Sequence, residues 1–307
     1  MKRGLSGINC LLAVDKPLGM SSHDVVNKVR RALGERRVGH AGTLDPAASG
    51  VLVVGVGQGT RLMGNLTLDT KSYLAQVEFG FETSTDDAEG EPVARAEVSD
   101  ELHDLGYARR VVSGLVGEHD QIPPAYSAIS VDGKRAYARA RSGEEVVLPS
   151  RHVSVLEADC LSCGGDPLVW TCAFTVSKGT YIRSIARDLG RQLGTAAHLR
   201  GLRRTASGSI DIGCCLTLEQ VAELGPGRIV TRALDPLACL GIVSQELGKR
   251  TLADAMCGKS IPNRSGAAEG ERVGLVSDGK LMGIWHVVGS SLRCDANFPS
   301  GVSGVVL

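Results

Sequence analysis

Short apolar runs and alternating apolar and polar residues predict several strands in the first 180 residues. Segment 8–14, which is apolar apart from Asn9, and segment 51–56 have the length expected for buried strands. In segment 71–80 the apolar residues occupy every second position, which places Tyr73 and Phe79 on one face of a strand. Further strands are expected at 125–131, 153–161 and 168–176.

Two segments carry the helical period most clearly. Valines 25, 26 and 29 and Leu33 follow Ser21 and Ser22, either of which can cap a helix that ends at Gly34. A second helix is expected from Ile182 to Leu193, with Thr180 as its cap. Arginines 183, 187 and 191 fall on the polar side of that helix. Weaker helical patterns lie at 102–115 and 247–257.

The order of these elements indicates the fold class. Strands and helices interleave without regular βαβ alternation, which predicts an α+β fold with a mixed, largely antiparallel central sheet and flanking helices. Past Pro236 the pattern changes to a short helix followed by two strand runs within 272–284. An Asp278-Gly279 turn separates those runs and is typical of a β-hairpin. We therefore expect a large domain at 1–238 and a small β-rich domain at 239–307.

Charge is balanced overall but segregated along the chain. The net charge is zero, which by itself disfavours a nucleic-acid-binding protein. Segment 82–104 nevertheless holds nine acidic residues and one basic residue, whereas segment 178–204 holds seven basic residues and one acidic residue. Segment 134–141 adds four basic residues. We interpret the acidic segment as a solvated face, and the basic segments, including 200–204, as surfaces that follow nucleic-acid phosphates.

Cysteine and histidine usage argues against disulfides and metals. Nine cysteines, an odd number scattered along the chain, do not form a secreted disulfide framework and suggest a reducing cytoplasm. The pair Cys160 and Cys163 lacks a second pair at zinc-site spacing, and the histidines never stand four apart, so no metal is expected. The sequence shows neither a signal peptide nor an apolar run of about 20 residues, so a cytoplasmic protein without membrane contact is expected.

A polar loop with one acid carries the strongest functional signal. Segment 39–50 reads Gly-His-Ala-Gly-Thr-Leu-Asp-Pro-Ala-Ala-Ser-Gly and leads directly into the apolar run at 51–56. Its acid, Asp45, precedes Pro46, which fixes the adjacent backbone. An Asp-Pro pair often just starts a turn. The residues around this one favour a chemical role.

This loop resembles the active-site motif of the tRNA pseudouridine-55 synthases of the TruB type, Gly-His-x-Gly-x-Leu-Asp-Pro-x-Ala-x-Gly. Ala41 and Ser49 stand where threonine is usual, and both replace one small residue with another. Further segments resemble family motifs in the family's order, at 14–22, 71–73, 83–90, 121–128, 177–184 and 202–205. The resemblance spans about 190 residues and implies a pseudouridine synthase fold in 1–238, with an abbreviated PUA-type RNA-binding domain in 239–307.

The resemblance implies a function and assigns roles. It implies that uridine 55 in the T-loop of tRNA becomes pseudouridine by glycosidic bond cleavage, base rotation and rejoining through C5, without a cofactor. Asp45 would be the catalytic carboxylate, Arg183 the cation that pairs with it, and Tyr73 the ring that stacks on uracil or relays the C5 proton. Asp45 could attack C1′, add to C6 or take a proton from C2′, and residue type leaves these three routes open.

Other residues are expected to hold the RNA. The resemblance assigns His40 to positioning or stacking, Tyr181 and Leu202 to the pocket wall, and Lys16 to the loop architecture or a phosphate. Lys178 and Arg203 are expected to contact RNA as well. The expected partner is the T-arm stem-loop of tRNA, bound by a monomer without an obligate protein partner.

Three rival interpretations remain. Segment 55–60, Gly-Val-Gly-Gln-Gly-Thr, is similar to a dinucleotide-binding turn, but Thr60 replaces the third glycine and the βαβ frame is missing. An RNA-binding or tRNA-folding protein that acts without catalysis is a second interpretation. A relative that depends on a guide RNA is the third, and it is disfavoured because the extra partner-binding tails are not found.

Overall fold

The computed structural model describes residues 6–66, 70–126, 130–131, 134–135 and 148–306. Six α-helices lie in these ranges: α1 Ser22–Leu33, α2 Leu105–Ser113, α3 Ile182–Gln192, α4 Leu218–Arg228, α5 Pro236–Leu240 and α6 Lys249–Met256. The strands of the same ranges, in chain order, are β1 Cys10–Lys16, β2 Val38–Ala41, β3 Ala48–Val56, β4 Thr70–Phe79, β5 Phe81–Thr83, β6 Pro92–Arg95, β7 Gly117–Gln121, β8 Ser130–Val131, β9 Lys134–Arg135, β10 Arg151–Gly164, β11 Val169–Ser177, β12 Ala197–Ser207, β13 Ile210–Asp211, β14 Val243–Glu246, β15 Ile261–Pro262, β16 Arg272–Ser277, β17 Lys280–Val288 and β18 Ser291–Ser303.

These residues divide into two compact units. The first takes its residues from 1–46, 50–68 and 207–307, and the second from 47–49 and 69–206. These units are defined by compactness. The expected division into a large domain at 1–238 and a small domain at 239–307 is a different one, and it stays a prediction. The part of the chain that the structure describes contains no helix long and apolar enough to cross a membrane.

In the first unit, β3 pairs antiparallel with both β1 and β2, placing Lys16 opposite Gly50 and His40 opposite Val54. Helix α1 begins where the sequence predicts, because Ser21 accepts a hydrogen bond from the amide of Asp24 in a capping box. The helix ends at Gly34 in the left-handed conformation (φ 60°). Its buried valines, among them Val26 and Val29, pack with β1 and β3 in one apolar core. The packing fixes the position of α1 relative to β1 and β3.

The C-terminal part of this unit is β-rich, as predicted. Its sheet has the strand order β14-β16-β17-β18-β15, in which only the β14–β16 pair is parallel. Asp278 and Gly279 form the predicted turn between β16 and β17, with φ of 50° and 66°. The sheet encloses an apolar core that contains Trp285, and helix α6 contributes Ala255 to it.

In the second unit the strand order is β12-β4-β11-β10-β7. The β4–β11, β11–β10 and β10–β7 pairs are all antiparallel. With helices α2 and α3, this arrangement confirms the predicted α+β class and its largely antiparallel sheet. Strand β4 buries Tyr73, Ala75, Val77 and Phe79 on one face, as the alternation predicts. Of the strand expected at 125–131, part falls outside the described residues and Ser130–Val131 is a strand.

Two local predictions need correction. Thr180 does not cap α3, since Tyr181 is the cap residue and the Thr180 hydroxyl instead donates to the carbonyl of Ser177 at 2.9 Å. Strand β1 runs from Cys10 to Lys16, two residues later than the apolar run indicates. The last residue of that strand is the charged Lys16, which hydropathy alone assigns to a loop.

Packing accounts for the glycines of segment 55–60. A Cβ added at Gly57 would lie 2.1 Å from the carbonyl oxygen of Ile8, and one at Gly59 would lie 2.2 Å from that of Cys10. Both approaches are far inside van der Waals contact, so these positions require glycine to let the 3₁₀ turn 57–62 pack on β1. The glycine spacing that is similar to a dinucleotide-binding turn has this structural explanation.

Candidate active site

The loop between β2 and β3 is held on both sides of Asp45. Before it, the hydroxyl of Ser22 donates to the carbonyl oxygen of Leu44 at 3.0 Å and accepts from the Leu44 amide at 2.9 Å. After it, the carbonyl oxygen of Pro46 accepts from the amide of Gly19 at 2.9 Å. Asp45 itself is half-buried. Its backbone position is therefore determined by hydrogen bonds that the first turn of α1 and the loop before it supply.

Lys16 supports the same loop from below. Its side chain is 0% exposed, and its ammonium group donates to the carbonyl oxygens of Pro17 at 2.9 Å, Met20 at 2.5 Å and Pro46 at 3.5 Å. A buried ammonium group needs such acceptors, because desolvation without them would be costly. These contacts tie Lys16 to the loop, and the two roles expected for it, support of the loop or contact with a phosphate, stay predictions.

His40 lies on β2, close to the Asp45 loop along the chain. Its side chain is half-buried, and its register partner on β3 is Val54. The strand is fixed at its other end, where the guanidinium of Arg30 donates to the carbonyl oxygen of Val38 at 2.8 Å. In the first unit, His40 lies in β2 and Asp45 in the loop that follows it. Lys16, at the end of β1, supports that loop.

Tyr73 belongs to the second unit. It lies in β4 directly opposite Phe174 of β11, and it is 8% exposed. Strand β4 lies between β12 and β11 in the sheet, and residues 70–78 of it pair with β11. The ring is therefore carried by a rigid part of the sheet.

Arg183 lies in the first turn of α3, also in the second unit, and is 6% exposed. Its guanidinium donates to the carbonyl oxygens of Thr85 and Tyr126, each at 3.1 Å. The same group lies 3.4 Å from a carboxylate oxygen of Asp87. A planar guanidinium bound at several points is fixed in orientation as well as position.

Asp87 is a functional candidate that sequence reasoning missed. It is 5% exposed, and its carboxylate accepts from the hydroxyl of Thr85 at 2.5 Å and from the amide of Glu89 at 3.1 Å. Its carbonyl oxygen accepts from the hydroxyl of Thr83 at 2.6 Å. The available signal was the segment 83–90 itself, in which three hydroxyl residues precede two aspartates. That pattern is typical of a turn closed by side-chain hydrogen bonds.

The acidic segment is not simply a solvated face, which corrects the prediction. Arg187 lies 2.8 Å from Asp86, and Arg191 binds Glu82 through two hydrogen bonds of 2.8 and 2.6 Å. Arg183, Arg187 and Arg191 are spaced four residues apart and therefore lie on the same face of α3. With Asp87, Asp86 and Glu82 they form a row of three ion pairs. We call this set of six residues the arginine ladder.

The arginine ladder also corrects the predicted phosphate surface. Arg187 is 8% exposed, and it donates to Asp188 and to the carbonyl oxygen of Ile122 as well as to Asp86. Arg183 and Arg187 therefore stabilise the interior of the unit. Burial raises the pKa of Asp86 above its ordinary value, although Arg187 and Arg183 oppose that shift. The hydrogen bond to Glu82 raises the pKa of Arg191.

The arginines of segment 200–204 also differ in their exposure to solvent. Arg204 is 1% exposed and so cannot lie on an RNA-facing surface. Arg200 is exposed and lies 3.3 Å from Glu78, and Arg203 is half-buried and donates to the hydroxyl of Ser49 at 3.2 Å. Leu202 is half-buried. The side chains of the other predicted phosphate surface, 134–141, lie outside the described residues.

The entry to α3 carries two more predicted residues. Lys178 is exposed in the turn between β11 and α3. Tyr181 is half-buried, and its backbone is held by Gln121, which accepts from its amide at 2.8 Å and donates to its carbonyl oxygen at 3.1 Å. Within the ranges that the structure describes, no group of three or more histidine, cysteine or acidic side chains is arranged to hold a metal ion.

Comparison with known proteins places these residues in a family. Residues 30–182 match the model of the TruB family pseudouridylate synthase N-terminal domain, and residues 183–236 match that of the tRNA pseudouridylate synthase B C-terminal domain. The first match contains Asp45 and Tyr73, and the second begins at Arg183. The chain is similar to the tRNA pseudouridine synthase B of Leifsonia xyli subsp. xyli, with 41% identity over 94% of this chain and 96% of that protein. It is also similar to the protein of the same name from Mycobacteroides abscessus, with 45% identity over 77% of this chain and 79% of that protein.

Solved structures resemble the fold. The crystal structure of the archaeal box H/ACA sRNP Nop10-Cbf5 complex contains a chain that matches with a TM-score of 0.68 and 21% identity. The match covers 95% of this chain and 86% of that chain. This likeness concerns the fold, and it agrees with the predicted pseudouridine synthase architecture. On the matched models and the identity to its relatives, the chain belongs to the TruB family of pseudouridylate synthases.

Proposed function

We propose that this protein converts uridine 55 in the T-loop of tRNA to pseudouridine, with Asp45 as the single catalytic carboxylate. The relatives that it matches over most of their length bear the name tRNA pseudouridine synthase B. The substrate position and the role of Asp45 rest on the motif around that residue. The observation that carries the proposal is the rigid support of the Asp45 loop.

The reaction explains why such support matters. The bond between N1 and C1′ breaks, the base turns, and C5 bonds to C1′ with no net redox change. The enzyme must take the uridine out of its stack and keep a carboxylate close to the reacting atoms while the base turns. Since a displacement of about 1 Å can cost a hundredfold in rate, the carboxylate needs a fixed backbone. Bonds at Leu44 and Pro46, the two neighbours of Asp45, supply that restraint.

Arg183 is the cation in this proposal. A carboxylate near a flipped base tends to take up a proton unless a positive charge keeps it ionised. The guanidinium of Arg183 is 6% exposed and bound to two carbonyl oxygens and to Asp87. A group fixed in that way pays little reorganisation cost when charge develops nearby.

Tyr73 is the aromatic residue of the proposed reaction. Its ring would stack on uracil while its hydroxyl relays the proton that leaves C5. Its place in a strand that is paired along its length supports a rigid stacking surface. Only 4% of the residues are aromatic, so few rings are available for this purpose.

RNA would be held by residues around these three. We propose that His40 positions the RNA, that Tyr181 and Leu202 line the pocket, and that Lys178 and Arg203 contact the backbone. No cofactor enters the proposal, because bond cleavage and rejoining need no electron acceptor. The proposed enzyme acts as a monomer in the cytoplasm, without an obligate protein partner.

The experiment is the mapping of pseudouridine in a T-arm hairpin after incubation with wild type and with Asp45→Asn. Wild type is expected to form pseudouridine at the position of uridine 55 without any guide RNA. Asp45→Asn is expected to bind the hairpin about as well and to form none. Equal product from the two proteins would refute the role of Asp45, and binding without product from wild type would favour an RNA-binding or tRNA-folding protein. Product only with an added guide RNA would favour the guide-dependent interpretation.

A further inference from the structure

A group of exposed arginines surrounds the C-terminal end of α1. Arg31, Arg36 and Arg37 are all exposed, and Arg31 and Arg36 line a hollow of about 480 Å³ together with Arg30, Gly34 and Glu35. The chain can turn sharply here because Gly34 adopts the left-handed conformation. The turn brings Arg31, which precedes it, and Arg36, which follows it, to the same hollow, and Arg37 is next to Arg36 in the chain. We call Arg31, Arg36 and Arg37 the α1 patch.

The acid within this segment does not neutralise the α1 patch at its surface. Glu35 is 2% exposed, and its two carboxylate oxygens accept from the hydroxyl of Ser6 at 2.8 Å and from the backbone amide of Arg37 at 3.0 Å. Its carboxylate therefore serves the turn. The three arginines of the patch are exposed, whereas the Glu35 carboxylate, which also borders the hollow, is buried and bound by hydrogen bonds within the turn.

Arg30 has a different part in this arrangement. Its guanidinium donates to the side chain of Asn27 at 2.9 Å and to the carbonyl oxygen of Val38 at 2.8 Å. Arg30 thus ties the end of α1 to the start of β2 and adds a fixed positive charge behind the hollow. Because it has this structural role, it is left out of the patch and out of the variants below.

The α1 patch has a defined relation to the Asp45 loop, since both belong to the first unit. Helix α1 has 12 residues, which corresponds to a length of about 18 Å. Ser22 at its first turn binds the backbone of Leu44, next to Asp45, and the patch surrounds its last turn. The patch and the loop therefore lie near opposite ends of one rigid helix.

We propose that the α1 patch binds the phosphate backbone of the base-paired stem of the RNA whose loop is modified. The proposal rests on the proposed function. Duplex nucleic acid places charges every few ångströms along its axis, so a stem that extends about 18 Å from the modified loop presents several phosphates to the patch. Guanidinium groups bind phosphate oxygens through two parallel hydrogen bonds and stay charged at every working pH. Contacts of this kind fix the register of the RNA and carry no sequence information.

The experiment measures the affinity for a T-arm hairpin as a function of salt concentration. The test variant is the triple substitution Arg31→Gln, Arg36→Gln and Arg37→Gln. The control variant is Arg110→Gln, Arg228→Gln and Arg232→Gln, which removes the same charge from exposed arginines elsewhere. Circular dichroism and thermal unfolding of both variants establish that each is folded.

Binding by the test variant is expected to be weaker by about tenfold or more at 50 mM salt, and the slope of log affinity against log salt is expected to fall by about two. The control variant is expected to keep the slope of wild type. Shortening the stem of the hairpin should weaken binding by wild type and by the control, but should have little effect on the test variant. Equal slopes for the test and control variants would overturn the proposal.

Failure of this proposal is distinct from failure of the proposed function. Binding is measured directly and needs no turnover, so the slope comparison decides the role of the α1 patch even for a protein that forms no pseudouridine. If wild type modifies the T-arm and the test variant binds like the control, only the patch is refuted.

Discussion

The hydroxyl of Ser22 and the backbone of Leu44 form two hydrogen bonds, of 3.0 and 2.9 Å, that tie the start of α1 to the loop of Asp45. Both residues are buried, at 2% and 4% exposure, so neither backbone group of Leu44 has water as an alternative partner. A helix is rigid compared with a loop. Asp45 follows Leu44 in sequence, so its backbone position is fixed relative to α1.

Ser22→Ala is expected to lower the turnover rate by about ten to a hundredfold while RNA affinity changes little, because misplacement of a reacting group by about 1 Å has effects of that size. Two buried backbone groups would lose their partner, so the free energy of unfolding should fall by about 1 to 3 kcal/mol. Single-turnover kinetics and urea unfolding measure the two effects.

Ser21→Ala is the matched control for that variant. It removes the neighbouring hydroxyl, which caps α1 through its hydrogen bonds with the amide and the side chain of Asp24. Its stability cost should be about 1 kcal/mol. If Ser21→Ala lowers the turnover rate as much as Ser22→Ala, the support of the loop by Ser22 is not what matters.

The arginine ladder predicts unequal effects for two acid-to-amide substitutions. Asp87→Asn should lower the free energy of unfolding by about 3 kcal/mol, since it removes one charge of the buried ion pair between Asp87 and Arg183. Glu82→Gln should cost about 1 kcal/mol or less, because the side chain of its partner Arg191 is 58% exposed. We also expect Asp87→Asn to reduce the rate of pseudouridine formation far more than Glu82→Gln. Equal effects on stability and rate would contradict the distinction between buried and exposed ends of the ladder.

Asp86 gives the ladder a pH dependence. Burial raises its pKa in the folded state above the unfolded value of about 3.9. The folded state therefore holds this proton more strongly, so its contribution to stability is complete below pH 3.9 and is lost as the pH rises through the raised pKa. Compared with Asp86→Asn, wild type should lose stability between about pH 4 and the raised pKa. Urea unfolding of both proteins from pH 3 to 7 tests this, and a difference that grows in the opposite direction would mean that the pair with Arg187 outweighs burial.

Local signals were sufficient where the determinant lies within a few residues. Ser21 and Gly34 delimit α1 because a cap and a left-handed glycine act on adjacent backbone, and the Asp278-Gly279 pair specifies its own turn. The loop of Asp45 was found for a similar reason, since its residues are contiguous. In each case the sequence contains the interacting groups side by side.

Long-range pairing was not visible in the same way. Arg187 and Asp86 are separated by about a hundred residues, and each belongs to a run of like charges that resembles a solvated surface when considered alone. The fold places these two runs against each other, so their charges are neutralised in the interior. Thr180 is a separate case, because its hydroxyl donates to the carbonyl oxygen of Ser177 within the preceding turn and Tyr181 is the cap residue of α3.

The glycines after β3 yield a prediction about stability. Gly59→Ala would place a Cβ 2.2 Å from the carbonyl oxygen of Cys10, and the backbone of the buried strand β1 cannot move away cheaply. We expect a loss of about 3 kcal/mol in the free energy of unfolding. Gly64→Ala, at an exposed glycine with no atom within 4 Å of the added Cβ, should change stability by less than about 1 kcal/mol. Urea unfolding compares the two, and a Gly59→Ala protein as stable as Gly64→Ala would show that close packing on β1 does not explain the glycine.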